Sequence, residues 1–257
     1  MPNPLSASWL EDRAEEFKAC IVFCTRLPLI RGTPIAGGAI AKAAWAFPLA
    51  GVVVGLIGAM VYGLAHKCGL PAWPAAALAV AATMLVTGAL HEDGLADTID
   101  GFGGGGSREH KLDIMRDSRI GVYGVGALAL SLLLRVGALA SLPDAHAVAW
   151  TLIAAHAGAR ATMPALMLLL PPARSDGLSY EAGRPGSEGV AAAAILALLI
   201  LMIALHPGRG ILALIVLAVV VVLTTWLSSS QIEGQTGDVL GALEQVSEIA
   251  ILLVALG

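Results

Sequence analysis

The sequence predicts an all-α integral membrane protein: one polytopic bundle of about six or seven transmembrane helices with an acidic helical hairpin on the cytoplasmic side. Two observations of composition favour this fold class. Of the 257 residues, 57% are hydrophobic and 13% are charged, whereas about a quarter of the residues of a soluble domain are charged. The mean hydropathy is +0.82. The third observation is that apolar stretches of about 20 residues, the length of a spanning helix, recur along the chain.

These stretches define the expected spans. A seventh candidate, 239–256, is long enough but carries Glu244 and Glu248, so we expect it to span, to line a cavity or to lie at the interface. A short amphipathic segment, 17–30, precedes the first span. The whole chain, 1–257, is interpreted as a single membrane-embedded domain. The six clearer spans are 43–65, 72–90, 122–142, 148–170, 190–206 and 211–228.

The basic residues predict the orientation. With the N-terminus in the cytoplasm, the inside segments hold most of the Lys and Arg residues, and only Lys67 and Arg209 fall outside, as the positive-inside rule requires. We therefore expect a multi-pass protein of the plasma (inner) membrane with its active site facing the cytoplasm. A net charge of −4 gives no indication of a nucleic-acid partner. The expected partners are the lipid bilayer, small-molecule substrates and, as one candidate assembly, a homo-oligomer.

Segment 91–119, between the second and third spans, concentrates the ionisable residues. Asp93, Asp97 and Asp100 follow the i, i+4, i+7 spacing that places three carboxylates on one helix face. Asp113 and Asp117 repeat the i, i+4 step, which predicts a second acidic helix. The two helices would face each other as a hairpin.

The glycine-rich stretch 101–107 is the expected flexible turn of this hairpin, and Ser107 is the expected N-cap of the second helix. Clustered carboxylates repel each other unless a cation compensates them. Mg²⁺ takes carboxylate oxygens together with water and substrate phosphates. With His110 and Arg116 beside the acidic face, the pattern suits a metal-bound pyrophosphate. Two simpler interpretations are a solvated hairpin of i, i+4 ion pairs and the ion-coupling ligands of a transporter.

Three motifs resemble the cobalamin synthase family, the adenosylcobinamide-GDP ribazoletransferases. They are HEDGLADTIDG, SREHKLDIMRDSRIGVYG and GQTGDVLGALEQVSE, supported by FCTRLP near the N-terminus and AFPLAGVVVG at the first span. The resemblance covers essentially the whole chain. It implies a Mg²⁺-dependent membrane enzyme that joins α-ribazole, or its 5′-phosphate, to adenosylcobinamide-GDP and releases GMP, in the last assembly step of adenosylcobalamin synthesis.

The resemblance also implies roles for individual residues. One of the aspartates would act as the base instead of a metal ligand, and His91 would orient a carboxylate or contact phosphate. The expected catalytic residues are Asp93, Asp97, Asp117 and His91; the expected Mg²⁺ ligands are Asp93, Asp97, Asp100, Asp113 and Asp117; and the expected substrate-binding residues are Arg26, Arg108, Arg116, Arg119, Arg160, Thr236 and Asp238.

Two arginines, Arg135 and Arg160, fall within apolar spans, where an unpaired charge costs at least ~2.5 kcal/mol. Glu244 and Glu248, one helical turn apart, are their predicted partners. The chain departs from the family pattern at Glu92, where a hydrophobic residue is common, and we expect this side chain to face solvent. It departs again at Gln245, where the family commonly has Glu.

Three alternatives share parts of this pattern. A CDP-alcohol phosphotransferase also uses a membrane-embedded aspartate cluster and Mg²⁺, but Asp97 and Thr98 stand where its motif requires Ala and Arg. An aromatic polyprenyl transferase would carry Asn before the first Asp, where this chain has Glu92. An ion-coupled membrane transporter would explain Arg135, Arg160 and the acidic last helix.

Overall fold

The computed structural model describes residues 7–27 and 38–257, and the regular structure within these ranges is helical, which confirms the all-α prediction. The part of the FCTRLP motif beyond Leu27, and with it the end of the predicted lead-in 17–30, lies outside the described residues. A 3₁₀ turn, Ala43–Ala46, precedes α3. The helices are α1 (Ala7–Cys24), α2 (Ala39–Lys42), α3 (Phe47–Lys67), α4 (Ala72–Thr87), α5 (Leu90–Gly104), α6 (Arg108–Ile114), α7 (Val122–Ala140), α8 (Ala145–Leu169), α9 (Leu178–Ala182), α10 (Ser187–Ile232) and α11 (Gly237–Leu256).

Five helical stretches of the described chain are long and apolar enough to cross a membrane, and α4 with α5 adds a sixth if the bent pair is counted as one span. The protein is therefore a multi-pass membrane protein. The prediction of six or seven spans treated the two arms of α10 separately and counted α4 alone. The five stretches are Ala39–Lys67, Val122–Ala140, Ala145–Leu169, Ser187–Ile232 and Gly237–Leu256.

Helix α10 contains both predicted spans 190–206 and 211–228 and is broken between them. His206 has φ 65° and ψ 155°, and Pro207 follows it. A straight helix of 46 residues would be about 69 Å long, more than twice the ~30 Å hydrocarbon core of a bilayer. The arms instead fold back on each other, since a Cβ added to Gly210 would lie 2.7 Å from the backbone nitrogen of Met202. The two predicted spans are thus the arms of one helical hairpin.

The predicted span 72–90 is shorter than expected. Helix α4 ends at Thr87, the chain turns through Gly88 (φ 68°) and Ala89 (φ 54°), and α5 leaves at 89° to α4. Glycine adopts positive φ without strain, so Gly88 allows the sharp turn. Helix α5 therefore lies across the end of the bundle, outside the five spans.

The bundle has two distinct polar ends. At one end the backbone N–H of Ala173 donates to the carbonyl of Gln235, and the Arg108 side chain donates to the carbonyls of Ile232 and Ala173. Helix α6, the α8–α9 loop and the α10–α11 loop therefore meet beside α5. At the other end Arg209, in the hinge of α10, donates to the carbonyl of Ala255. The acidic segment and the hinge thus occupy opposite ends of the bundle.

Candidate functional site

The acidic site begins where α5 crosses the first turn of α11. A Cβ added to Gly94 would lie 2.7 Å from the carbonyl oxygen of Asp238, and one added to Gly241 would lie 3.2 Å from the Cα of Gly94. The two backbones therefore touch, which only glycine allows at such distances. This contact places Asp93 and Asp97 of α5 beside Asp238 of α11.

A cavity of about 490 Å³ opens beside this crossing. Its lining includes three of the predicted catalytic residues, Asp93, Asp97 and Asp117, together with Arg116. Glu92 and Ser131 also line it, as do apolar side chains of α7. The lining thus combines acidic groups with one arginine.

The carboxylates around Asp97 affect its protonation electrostatically. Partial burial, and then the negative charges of Asp93, Asp238 and Asp100, raise the pKa of Asp97 to about 7. The positive charge of Arg174 opposes that rise. A cation placed among these carboxylates would relieve the repulsion between them.

Asp100 lies on the predicted face of α5 but contacts a different element. Its Oδ2 accepts a hydrogen bond from the backbone N–H of Gly121 (2.7 Å), and its Oδ1 accepts one from Gly124 (2.9 Å). A Cβ added at either glycine would collide with this carboxylate. Asp100 therefore satisfies backbone donors at the N-terminus of α7, where a negative charge is also favoured by the helix dipole.

The second acidic helix is shorter than predicted. Helix α6 ends at Ile114, so Asp117 lies in the following loop and does not share a helix face with Asp113, which is exposed on α6 outside the cavity lining. Asp117 accepts the backbone N–H of Arg119 at 3.0 Å, a local bond that competes with helix continuation. Its hydrogen bonds with the Arg119 side chain and backbone lower the pKa of Asp117 to about 2.

The prediction of a flexible turn over 101–107 is wrong in its first part. Helix α5 continues to Gly104, because its glycines allow close packing: a Cβ on Gly101 would lie 2.5 Å from Met115 Cγ, and one on Gly103 would lie 2.9 Å from the ring of Tyr123. The turn is confined to residues 105–107. Ser107 is the N-cap of α6, as predicted, since its hydroxyl accepts the N–H of His110 at 3.3 Å.

The predicted phosphate-binding arginines have different surroundings. Arg116 donates to Asp176 at 2.7 Å, and Arg119 is bonded to Asp117. Arg108 donates to two backbone carbonyls, which ties the loops together. Arg26 is exposed, and its side chain packs over Gly88 at the bend between α4 and α5. Among these four arginines, the cavity lining includes Arg116 alone.

Arg174, in the loop after α8, is a residue of the acidic end that was not among the predicted site residues. Its Nη2 donates to Asp238 Oδ2 at 3.3 Å, and its Nε lies 3.6 Å from Asp176 Oδ1. Thr236, the N-cap of α11, also donates to Asp238, at 3.1 Å. The available signal was position alone, because Arg174 lies in a polar stretch, 171–189, between two of the predicted spans.

The two intramembrane arginines have the predicted partners. Arg135 Nε donates to Glu248 Oε1 at 2.8 Å, and Arg160 Nη1 lies 2.7 Å from Glu244 Oε1. The prediction that Glu92 faces solvent is wrong: its side chain is 6% exposed and lies 2.8 Å from Arg135 Nη1. A buried guanidinium needs compensating charge, and Glu92 supplies it. Ion pairs within the bundle thus account for both arginines.

Two histidines lie in the same buried network. His91 is buried, with Nδ1 3.8 Å from Glu244 Oε2, and is absent from the cavity lining. Ligand atoms of His156, Glu244 and Glu248 lie within 4.8 Å of one another and could hold a metal ion. Both glutamates already pair with guanidinium groups, which disfavours a cation there. Among the described residues this trio alone has three ligand atoms that close together, so the carboxylates that line the cavity would have to draw together around an ion.

An all-α bundle of several helices long enough to span a membrane, with an acidic, arginine-edged cavity at one end, defines a polytopic membrane protein with a polar site at one end of the bundle. A family model described as cobalamin-5-phosphate synthase matches residues 16–256. The chain belongs to this family, which confirms the resemblance drawn from the three motifs.

Curated relatives support the same assignment over nearly the full length. A protein of Bradyrhizobium diazoefficiens, named adenosylcobinamide-GDP ribazoletransferase, is 55% identical over 233 residues, covering 91% of this chain and 90% of the relative. A protein of the same name from Mesorhizobium japonicum is 54% identical over 241 residues, covering 94% and 92%. One from Azorhizobium caulinodans is 47% identical over 246 residues, covering 91% and 92%. No solved structure matches the chain.

Proposed function

We propose that this chain is a transferase of cobalamin biosynthesis that performs the reaction for which its relatives are named. It would join adenosylcobinamide-GDP to α-ribazole, or to α-ribazole 5′-phosphate, and yield adenosylcobalamin, or its 5′-phosphate, and GMP. The observation that supports this most strongly is the cavity whose lining includes Asp93, Asp97, Asp117 and Arg116. Carboxylates for a metal and a base, with arginine for phosphate, are the groups that phosphoryl transfer needs.

The reaction exchanges one P–O bond for another. A ribose hydroxyl of α-ribazole attacks the phosphorus next to the cobinamide side chain, and the bond from that phosphorus to the GMP oxygen breaks. A cavity carboxylate accepts the hydroxyl proton. Arg116 would hold a phosphate oxygen.

The donor set fits Mg²⁺. Carboxylates from two elements, α5 and the α6–α7 loop, line one open cavity, and the repulsion of Asp97 by Asp93, Asp238 and Asp100 is what a divalent cation would relieve. Bound there with the pyrophosphate, Mg²⁺ would neutralise charge that develops on the leaving GMP. We assign Asp93, Asp97 and Asp117 as the ligand candidates inside the cavity. Asp100 would position α7, and Asp113 lies on α6 outside the cavity lining.

The location also belongs to this proposal. Arg108, Arg116, Arg119 and Arg174 surround the acidic end of the bundle, whereas Arg209 lies at the hinge end. Since basic residues are retained on the cytoplasmic side, the cavity would open to the cytoplasm from the inner membrane. That side holds the water-soluble nucleotide substrates.

Purified protein in detergent or liposomes tests the function. With adenosylcobinamide-GDP, α-ribazole and Mg²⁺, chromatography with mass spectrometry should detect GMP and the cobalamin product in equal amounts, and EDTA should abolish both. Asp93→Asn, Asp97→Asn and Asp117→Asn should each lower turnover by orders of magnitude in folded protein. Glu109→Gln, an exposed change on α6, serves as the matched control. Normal Mg²⁺-dependent turnover in all three Asn variants would refute the site, and uptake driven by an ion gradient without GMP release would favour a transporter.

A further inference from the structure

A carboxylate connects two arginines at the edge of the cavity. Asp176, in the loop between α8 and α9, accepts hydrogen bonds from Arg116 Nη2 at 2.7 Å to both of its oxygens. Its Oδ1 lies 3.6 Å from Arg174 Nε. A single exposed acid therefore lies between a guanidinium that lines the cavity and one that is largely buried.

Arg174 has more hydrogen-bonding capacity than its described neighbours use. The side chain is 17% exposed, and its Nη2 donates to Asp238 at 3.3 Å. Its Nη1 is buried with no hydrogen-bond partner among the described residues. A guanidinium presents five N–H donors in a planar fork suited to carboxylate or phosphate oxygens. Arg174 can therefore donate hydrogen bonds to a second anionic partner in addition to Asp238.

The neighbouring charges set the position of that partner. Asp238 lies at the crossing of α5 and α11, against the backbone of Gly94, and Arg174 acts electrostatically on Asp97. Charges therefore alternate along a path from the acidic cluster: Asp238, Arg174, Asp176 and Arg116. An anion that bridged the two arginines would lie next to any cation held by the aspartates.

We propose that Arg116 and Arg174 form a binding site for a phosphate group of the substrate, and that the Asp176 carboxylate occupies this site until the phosphate displaces it. The proposal rests on the proposed function and adds two residues to it, Arg174 as a binding residue and Asp176 as a displaceable occupant. Exchange is easy because the Asp176 side chain is 64% exposed, and exposed ion pairs contribute little free energy. A phosphate carries more charge and more acceptor oxygens than the carboxylate it replaces.

The test measures binding of inorganic pyrophosphate, with Mg²⁺ present, to the purified full chain by calorimetry, together with the KM for adenosylcobinamide-GDP. Asp176→Asn should raise the affinity for pyrophosphate, and lower the KM, by about two- to fivefold, which corresponds to the free energy of an exposed ion pair. Arg174→Gln should weaken both by about 10- to 100-fold, the size of a charge-assisted hydrogen bond. In the double variant part of the gain from Asp176→Asn should remain, because Asp176 also occupies Arg116, and only the share that comes from Arg174 should disappear. Asp12→Asn, an exposed change on α1, should alter neither value.

Three results would overturn the proposal: Asp176→Asn that leaves pyrophosphate affinity unchanged, Asp176→Asn that weakens it, as expected of a metal ligand, and Arg174→Gln that binds normally. If Arg174→Gln does not fold, Asp176→Asn decides alone, since it removes only an exposed contact. The proposed function fails separately. If the native protein releases no GMP but the variants shift pyrophosphate binding as expected, the proposed function fails and the anion site stands. If the native protein releases GMP but the variants do not shift pyrophosphate binding, the anion site fails and the proposed function stands.

Discussion

Three aspartates on one face of α5 have three different environments. Asp93 is exposed and Asp97 half-buried at the cavity, whereas Asp100 is buried against the first turn of α7. The i, i+4, i+7 spacing correctly predicted the shared face. It could not predict which carboxylate meets solvent and which meets backbone N–H groups, because that depends on the elements packed beside α5.

The raised pKa of Asp97 predicts a pH dependence of metal binding. Because this pKa is about 7, the carboxyl group keeps its proton in metal-free protein below that pH, and Mg²⁺ must displace the proton. We expect the apparent Mg²⁺ affinity to rise about tenfold per pH unit below pH 7 and to level off above it. Calorimetric titrations between about pH 5.5 and 8.5 measure this, and an affinity that is constant over that range would contradict it.

The same shift affects stability without metal. A carboxyl group whose folded-state pKa is raised contributes stability when protonated, and that contribution is lost as pH rises from about 4 to about 7. Metal-free protein should therefore melt at a lower temperature at pH 8 than at pH 5.5, and saturating Mg²⁺ should reverse the difference. Asp97→Asn should reduce the pH dependence.

At the scale of elements, glycine determines how α5 meets its neighbours. Gly94 lets α5 touch α11, and Gly101 and Gly103 let it pack against Met115 and Tyr123. The sequence alone suggested a flexible turn at Gly101 and Gly103, because glycine-rich stretches more often form loops. The tertiary packing of α5 reverses that preference, since small residues allow backbones to approach closely.

Asp100 provides a test at this scale. Asp100→Ala removes the acceptor for two backbone N–H groups of α7 and should cost about 0.5–2 kcal/mol, as the loss of a helix cap does. Thermal unfolding in detergent with EDTA measures this loss without any contribution from metal. Asp113→Ala, an exposed change on α6, is the matched control. Equal melting temperatures for the two variants would contradict the capping role.

At the scale of the whole molecule, a buried ionic network joins four helices beneath the cavity. Arg135 of α7 pairs with Glu92 of α5 and Glu248 of α11, and Arg160 of α8 pairs with Glu244 of α11. The pairing of the arginines with α11 was predictable, since unpaired charges are excluded from apolar spans. Glu92 was not, because the 89° bend that turns it inward depends on two residues of positive φ, Gly88 and Ala89. Arg174 was missed because only the fold brings the α8–α9 loop to Asp238.

The network predicts strong coupling between Arg135 and Glu92. Arg135→Met leaves two buried carboxylates without their partner and should destabilise the protein by about 3–5 kcal/mol. Glu92→Met alone should cost less, since Arg135 keeps Glu248, and the double variant should be more stable than the sum of the two losses implies. Melting temperatures of the four proteins in detergent complete the cycle. Additive losses would show that the two residues do not interact.

The cavity aspartates, and not the buried cluster of His156, Glu244 and Glu248, are the proposed ligands of the divalent cation. Electron paramagnetic resonance of Mn²⁺, substituted for Mg²⁺ in the purified native protein, tests this assignment most directly. We predict one bound Mn²⁺ ion with oxygen ligands only and no hyperfine coupling to histidine nitrogen. Asp97→Asn should lose the bound ion, and His156→Gln should retain it. Nitrogen coupling, or binding that survives Asp97→Asn but disappears in His156→Gln, would contradict the account.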